Sequence, residues 1–205
     1  VKSVEIVPAT GNIQTVKCNG FVVAFDTEKG TIHSLTYGNE TIIAAGNGPV
    51  LDAFRAYTNN DNWFMDGWYS NGLHNLKHKA TAKQIIQRKD GSVVASFSVI
   101  SQAPNAAKLE GGSSGSRNKL IELTNRPFDE NDFKFTTNQN FTIYPDGSVE
   151  LQANILSNRE TLNLPRLGYV MKVPQKFGNF TYYGRGPHDN YNDRKTSQFV
   201  ELYKS

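Results

Sequence analysis

Residues 133–153 read FKFTTNQNFTIYPDGSVELQA, and apolar and polar side chains alternate on both sides of a short Pro-Asp-Gly turn. Alternation with a period of two places one set of side chains on a buried face and the other set in water, as in a β-strand. Asp146 and Gly147 supply the positive φ angles that a type I′ turn requires. The segment therefore predicts an antiparallel hairpin with one buried face.

The same pattern extends along the rest of the chain. Lys89–Ser92 contains a second Asp-Gly pair and precedes the apolar run Val93–Phe97, and Asp26–Gly30 joins two further strand-like runs. Helical spacing occurs only over 66–76, where one or two turns are expected. Residues 110–116 are rich in Gly and Ser and are predicted to form a mobile loop within one domain. We expect an all-β antiparallel sandwich in which residues 1–205 form a single domain.

Composition excludes several classes of partner. The chain has 205 residues and a net charge of +3, from 22 Lys+Arg and 19 Asp+Glu that are scattered along it, so nucleic acid is not an expected partner. The longest apolar runs fall far short of the roughly 20 residues that span a bilayer, so no membrane partner is expected. Cys18 is the only cysteine, cannot form an intrachain disulfide, and is predicted to be a small core residue.

Residues 54–69, FRAYTNNDNWFMDGWY, form the richest candidate binding segment and contain both tryptophans of the chain. A pyranose presents an apolar C–H face that stacks on an aromatic ring, and a rim of hydroxyls that need Asn, Asp or Arg partners. Two structural alternatives remain open. Phe54 and Trp68 could be core anchors, and Asn59–Asn62 could be only a turn.

Catalytic and cofactor chemistry finds little support in the sequence. A glycoside-cleaving carboxylate pair could be drawn from Asp52, Asp61, Asp66, Asp189 and Asp193, but we expect no complete pair in this chain and assign no catalytic residue. The four histidines, His33, His74, His78 and His188, lack metal-ligand spacing. Pro187 follows Gly184-Arg185-Gly186, where a phosphate-binding helix would need a free N–H, so no dinucleotide and no other cofactor is expected.

The segment after residue 183 is predicted to form a rigid corner between strands. Gly184 and Gly186 permit unusual φ values, Pro187 stiffens the chain, and the charged side chains that follow can tie backbone groups together. A sugar contact from His188 or Asn190 is the functional alternative.

Two stretches resemble a known family. LPRLG at 164–168 and YGRGPHDNYNDRKT at 183–196 resemble the C-terminal, small-chain (domain 5-like) region of family 2 glycoside hydrolases of the β-galactosidase type, and Phe54-Arg55-Ala56 with Asn60-Asp61 resembles that region's upstream motif. The members of the closing motif are Gly184, Gly186, Pro187, Asp189, Tyr191, Asp193 and Arg194.

The resemblance implies a supersandwich similar to galactose mutarotase, forming the last domain of a β-galactosidase that cleaves terminal β-D-galactosides. The family's catalytic glutamates lie in a separate (β/α)8 barrel, which would also hold any magnesium or sodium ion. This chain would then be non-catalytic and would help to shape the active-site entrance. The implied partners are a galactoside or other carbohydrate, the catalytic barrel and further subunits, in a bacterial cytoplasm or periplasm. The implied substrate-binding residues are Arg55, Asn60, Asp61, Asn62 and Trp63.

The chain departs from the family's usual pattern at four positions. Tyr57 stands for Pro, Asn59 for Asp, Trp63 for Gly and Asp189 for Glu. The family also continues past Ser205, so we expect a piece trimmed at both ends, with a sandwich truncated at its C-terminal end and one sheet with exposed edges. A mutarotase-like epimerase using His33 or His188, and a purely structural docking domain, are the alternative functions.

Overall fold

A computed structural model describes residues 3–111, 119–188 and 196–204 and consists almost entirely of antiparallel strands. The described chain divides into two compact units, the first ending at Lys172 and the second beginning at Val173. The all-β antiparallel prediction is confirmed, whereas the single domain over 1–205 and the likeness to galactose mutarotase stay predictions.

The first unit contains two main sheets. The first sheet is a meander of five strands in chain order: β1 (Glu5–Ile6), β2 (Ile13–Cys18), β3 (Phe21–Asp26), β4 (Thr31–Tyr37) and β5 (Glu40–Ile43). Next along the chain come β6 (Val50–Asp52), a helix α1 (Met65–Ser70), β7 (Lys77–Gln87), β8 (Val93–Gln102), β9 (Asn105–Glu110), β10 (Lys119–Pro127), β11 (Phe135–Ile143), β12 (Val149–Ser157) and β13 (Gly168–Val170). The second main sheet has the order β12-β11-β8-β7, while β9 pairs with β10 and β6 with β13.

The two main sheets pack face to face through one hydrophobic core. Along β8, every second side chain from Val93 to Val99 is buried, as the period-two pattern predicts. Phe25 from the first sheet lies with its ring centroid 6.0 Å from that of Phe97 and 5.7 Å from that of Phe141, both in the second sheet. Burying a side chain of this size contributes about 1.5–3 kcal/mol, so this layer is a main source of the sandwich's stability. Cys18 is half-buried and packs at the margin of this core.

Both Asp-Gly hairpins form where the sequence predicts them, but the turn type differs from the prediction. Only the glycines, Gly91 and Gly147, have positive φ, whereas a type I′ turn would also require positive φ at Asp90 and Asp146. Gly147 N–H donates to Tyr144 O at 3.0 Å, which is typical of a type I turn followed by a left-handed glycine. The aspartates act through their side chains, since each accepts hydrogen bonds from the serine two residues later.

The predicted helical segment consists of α1 and a short 3₁₀ turn, Leu73–Asn75. Gly72 interrupts them with φ = 71°, and an added Cβ there would lie 2.2 Å from the Cβ of Ala103. Trp68 and Leu73 belong to a second hydrophobic core, against which Leu76 packs, so the apolar side that the spacing predicts is confirmed.

The second unit is a hairpin of β14 (Thr181–Gly186) and β15 (Phe199–Lys204) preceded by a short 3₁₀ turn, Gln175–Phe177. Residues 112–118, which include most of the predicted mobile loop, lie outside the described part of the chain.

Candidate functional site

The aromatic and amide-rich segment forms the connection between β6 and α1, and its fold depends on one carboxylate. A 3₁₀ turn, Asn59–Asp61, begins after Thr58. The Thr58 N–H and Oγ1 donate to Asp61 Oδ2 at 2.6 and 3.0 Å. A Thr followed three residues later by an acidic residue is a sequence signature of such a turn, and it could have identified Thr58 as part of the site.

Arg55 closes the connection onto Asp61. Its two terminal nitrogens donate to the two oxygens of the Asp61 carboxylate at 2.6 and 2.8 Å, a bidentate ion pair. Asp61 is 7 % exposed. The hydrogen bond from Arg55, helped by those from Thr58 and only partly opposed by burial, holds the pKa of Asp61 well below its usual range. Asp61 is therefore ionised at neutral pH and is unsuited to donate a proton.

The ring of Trp68 packs against the guanidinium group of Arg55. The guanidinium carbon of Arg55 lies 5.5 Å from the centre of the Trp68 ring, within cation–π distance. Trp68 is buried in the second core and its Nε1–H donates to Asn163 O at 2.8 Å. Phe54 is half-buried and packs against the same core. The reading of Trp68 and Phe54 as core anchors is thus confirmed.

The outer face of the connection consists of Asn60, Asn62, Trp63 and Phe64, which are all exposed. Trp63 is 86 % exposed and Phe64 is 46 % exposed, so an indole stands in solvent between amide groups and a second aromatic ring. The structure thus divides the five predicted substrate-binding residues into a supporting pair, Arg55 and Asp61, and three displayed side chains. The contact of these three side chains with a sugar stays a prediction, and Phe64, one of the aromatic residues of the predicted segment 54–69, is exposed beside them.

The LPRLG motif lies beside this connection. Leu164 packs against the second core, and Arg166 Nε lies 3.1 Å from Asp52 Oδ2. Gly168, the last residue of the motif, pairs with Asp52 in the β13–β6 ladder. Two of the segments that carry the family resemblance are therefore neighbours in space, although about a hundred residues separate them.

The closing corner belongs to the second unit. Neither Gly184 nor Gly186 has a left-handed φ, so the prediction that both serve unusual φ values is wrong. Gly186 is needed for space, because an added Cβ would lie 2.3 Å from the Tyr182 hydroxyl. Tyr203 donates to Gly186 O at 2.9 Å. Asp189, Asn190, Tyr191, Asp193 and Arg194 lie outside the described residues.

The other candidate groups are accounted for as follows. Asp52 is paired with Arg166, Asp66 is exposed on α1, and His74 lies 2.8 Å from a Glu122 oxygen. Over 3–111, 119–188 and 196–204, no three His, Cys, Asp or Glu side chains are arranged to hold a metal ion. In the same ranges, no helix has the length and hydropathy needed to cross a membrane.

The fold and this connection define an antiparallel β-sandwich protein with an aromatic and amide-rich surface loop supported by a partly buried ion pair. Residues 17–205 match the family described as "Beta galactosidase small chain", and the chain belongs to that family. The resemblance read from the motifs is therefore confirmed.

Similar proteins include β-galactosidases of three bacteria. The β-galactosidase of Priestia megaterium is 26% identical over 198 residues, which cover 94% of this chain and 16% of the relative. That of Streptococcus thermophilus is 24% identical over 195 residues, which cover 93% of this chain and 16% of the relative. That of Vibrio cholerae is 34% identical over 67 residues, or 33% of this chain and 6% of the relative. The chain thus spans only a small part of the length of these relatives.

Proposed function

We propose that this chain is a non-catalytic sandwich domain of a β-galactosidase that hydrolyses terminal β-D-galactosides. Its loop of Asn60, Asn62 and Trp63 helps to shape the entrance to the active site and contacts the sugar. Family membership supports the parent activity, and the small share of the relatives that the chain covers leaves room for catalytic residues elsewhere.

The exposed indole of Trp63 carries the proposal. Its ring stands next to the exposed ring of Phe64, and a pyranose C–H face is a suitable match for such an aromatic surface. Asn60 and Asn62 flank it with amide donors and acceptors for hydroxyl groups. The ion pair of Arg55 with Asp61 fixes the backbone of the loop that carries Asn60, Asn62 and Trp63. The loop therefore loses little conformational entropy when a sugar binds.

The electrostatics of the loop favour binding over bond cleavage. Retaining glycosidases need a carboxylic acid that stays protonated near neutral pH and a second carboxylate about 5 Å away. The depressed pKa of Asp61 disqualifies it as that acid, and Asp52 is already paired with Arg166. We therefore place the catalytic carboxylates in another part of the enzyme.

The second unit supports a docking role toward the rest of the enzyme. Tyr183, Phe199 and Leu202 on the β14–β15 hairpin are 76%, 69% and 64% exposed. A two-stranded hairpin alone is marginally stable in water, so these apolar side chains gain stability when another surface covers them. The catalytic barrel of the parent is the partner that we propose. The same observation favours a purely structural docking domain as the second candidate.

Tryptophan fluorescence tests the sugar contact, because the chain has only Trp63 and Trp68 and only the first is exposed. Titration with galactose is expected to change the emission saturably in the native chain and not in Trp63→Ala. Tyr183→Ala, which removes an exposed aromatic ring elsewhere, serves as the matched control and should keep the response. No response at high millimolar galactose would favour the docking domain, and an equal response in native chain and Trp63→Ala would refute the contact through Trp63.

Polarimetry of freshly dissolved α-galactose tests the epimerase alternative. Such chemistry needs a histidine acid facing a carboxylate base. We expect no acceleration by the chain. Acceleration that is lost in both His33→Gln and His188→Gln would instead establish an epimerase.

A further inference from the structure

The first unit contains a polar pocket on the side where the β3–β4 turn approaches β7. It has a volume of about 370 Å³, within the range of small-ligand sites. We call it the histidine pocket, and the side chains that give it its chemistry are Asp26, Lys29, His33, Leu76, Lys77 and His78. These residues play no part in the sugar-facing loop described above.

The charge of the histidine pocket is unbalanced. Two lysines line it against one carboxylate, that of Asp26, and the rings of His33 and His78 add further N–H groups. Asp26 Oδ1 accepts the N–H groups of Glu28 and Lys29 at 3.0 Å each and Asp26 Oδ2 lies 3.9 Å from Lys29 Nζ, so this single carboxylate holds the turn and balances only one of the two lysines. The lining therefore presents cationic and N–H donor groups in excess of the acceptors that could satisfy them.

His33 supplies a second, independent observation. Its ring Nδ1 is buried and finds no hydrogen-bond partner among the described residues. A buried polar nitrogen without a partner is unfavourable, and because His33 also lines the pocket, rotation of its ring would bring Nδ1 to a ligand there. His78 differs from His33, since its Nδ1 lies 2.9 Å from Ser101 Oγ and Nε2 is the ring nitrogen left for a ligand.

His78 also lines a second, smaller void of about 10 Å³, the space of one water molecule. Thr137 lines this void, is 1 % exposed, and its Oγ1 has no hydrogen-bond partner within the described ranges. A water there would satisfy Thr137 and extend the network of polar groups behind the histidine pocket.

The turn that carries Lys29 is held rigidly. Gly30 N–H donates to Asp26 O at 2.8 Å, and Ala80 N–H on β7 donates to Glu28 O at 2.6 Å. Gly30 has φ = 72°, and an added Cβ would lie 2.6 Å from a Val99 methyl group, so the turn packs directly on the second sheet. The backbone that carries Lys29 is therefore fixed before any ligand arrives.

We propose that the histidine pocket binds a small oxyanion, either a free phosphate ion or the phosphate of a sugar phosphate, through His33, His78, Lys29 and Lys77. The excess of donors, the unpartnered buried ring nitrogen and the rigid turn support this ligand chemistry. Burial, together with Lys77 and Lys29 and only partly opposed by Asp52, lowers the pKa of His78. A bound anion would act in the opposite direction and raise it.

Side-chain ¹H–¹⁵N NMR of the four histidines tests the proposal. Inorganic phosphate, added at constant ionic strength, is expected to shift the ring resonances of His33 and His78 saturably and to leave His74 unchanged. The apparent pKa of His78 should rise in the phosphate-bound chain. Shifts that chloride reproduces, or that affect all four histidines alike, would overturn the proposal.

Variants make the test specific. Lys29→Met and His78→Gln each remove one charged or hydrogen-bonding contact and should weaken phosphate binding about tenfold or more. Lys119→Met, on β10, is the charge-matched control and should bind as the native chain does. Thermal unfolding of each variant identifies any loss of fold. Unchanged affinity in both folded pocket variants would overturn the proposal.

Comparison with glucose 6-phosphate separates the two sources of the oxyanion. Tighter binding of glucose 6-phosphate than of inorganic phosphate would identify a sugar phosphate as the ligand class. Equal binding would identify the free ion. Binding of neither at the histidine pocket would overturn the proposal.

Discussion

Replacing Asp61 with Asn tests whether the ion pair of Arg55 with Asp61 holds the connection between β6 and α1. The substitution keeps the shape of the side chain but removes its charge and one of the two oxygens that receive Arg55 at 2.6 and 2.8 Å. Hydrogen bonds to charged groups contribute about 1.5–3 kcal/mol. The Arg55 side chain is 31% exposed, so water compensates part of the loss and we expect the unfolding free energy to fall by about 2 kcal/mol. For a chain of this size that corresponds to a Tm lower by about 4–8 °C.

Urea unfolding of Asp61→Asn, Arg55→Gln and the double variant measures this contribution as a double-mutant cycle. We expect a coupling free energy of about 1–2 kcal/mol between the two positions. Asp66→Asn is the matched control, because Asp66 is exposed on α1 and should change stability by less than about 0.5 kcal/mol. A coupling near zero, or an effect of Asp61→Asn no larger than that of Asp66→Asn, would refute the supporting role.

Three further predictions concern stability. Because the pKa of Asp61 is depressed in the folded chain, its contribution to the free energy of unfolding is present above about pH 4 and fades as the pH falls. The difference in unfolding free energy between the native chain and Asp61→Asn should therefore shrink in acid. A difference that stays constant with pH in urea titrations would contradict this. Gly38→Ala places a Cβ in open space at φ = 54° and should lower the unfolding free energy by about 1 kcal/mol. Gly30→Ala also has a positive φ, and its Cβ would meet Val99, so it should lower the unfolding free energy by at least about 1 kcal/mol more. Equal losses of stability by calorimetry would contradict the contact with Val99. Phe141→Ala in the first core should lower the unfolding free energy by about 3–5 kcal/mol in chemical denaturation. Leu156 is 57% exposed, so Leu156→Ala should lower it by less than about 1 kcal/mol. Similar values for the two variants would count against the face-to-face core.

The strands could be predicted from the sequence because their signals are local. The alternation in β8 and β11 fixes which side chains face inward, and each Asp-Gly-Ser turn fixes where the neighbouring strand returns. The turn type could not be predicted with the same certainty, since Asp90 and Asp146 suit either turn and the choice depends on backbone angles that only the paired strands determine.

Which residues of the candidate site support the loop and which are exposed on it could be seen only in the structure. Composition identified Arg55, Asp61 and Trp63 as one group, but it could not separate supporting from displayed side chains, because burial depends on long-range packing. The histidine pocket also could not be predicted from the sequence. His33 and His78 are 45 residues apart, and only the approach of the β3–β4 turn to β7 brings them to one cavity.

The position of the exposed indole depends on a chain of contacts that runs through the second core. Arg55 orders the loop, Trp68 supports Arg55, and Asn163 fixes the Trp68 ring through its backbone carbonyl. Because that last acceptor is a main-chain atom, the contact depends on the backbone path between Leu162 and Leu164, which both pack against the second core, and not on the Asn163 side chain. The LPRLG motif begins at Leu164, directly after this carbonyl, so the packing of its first residue helps to hold the contact that supports Arg55 about a hundred residues away in sequence.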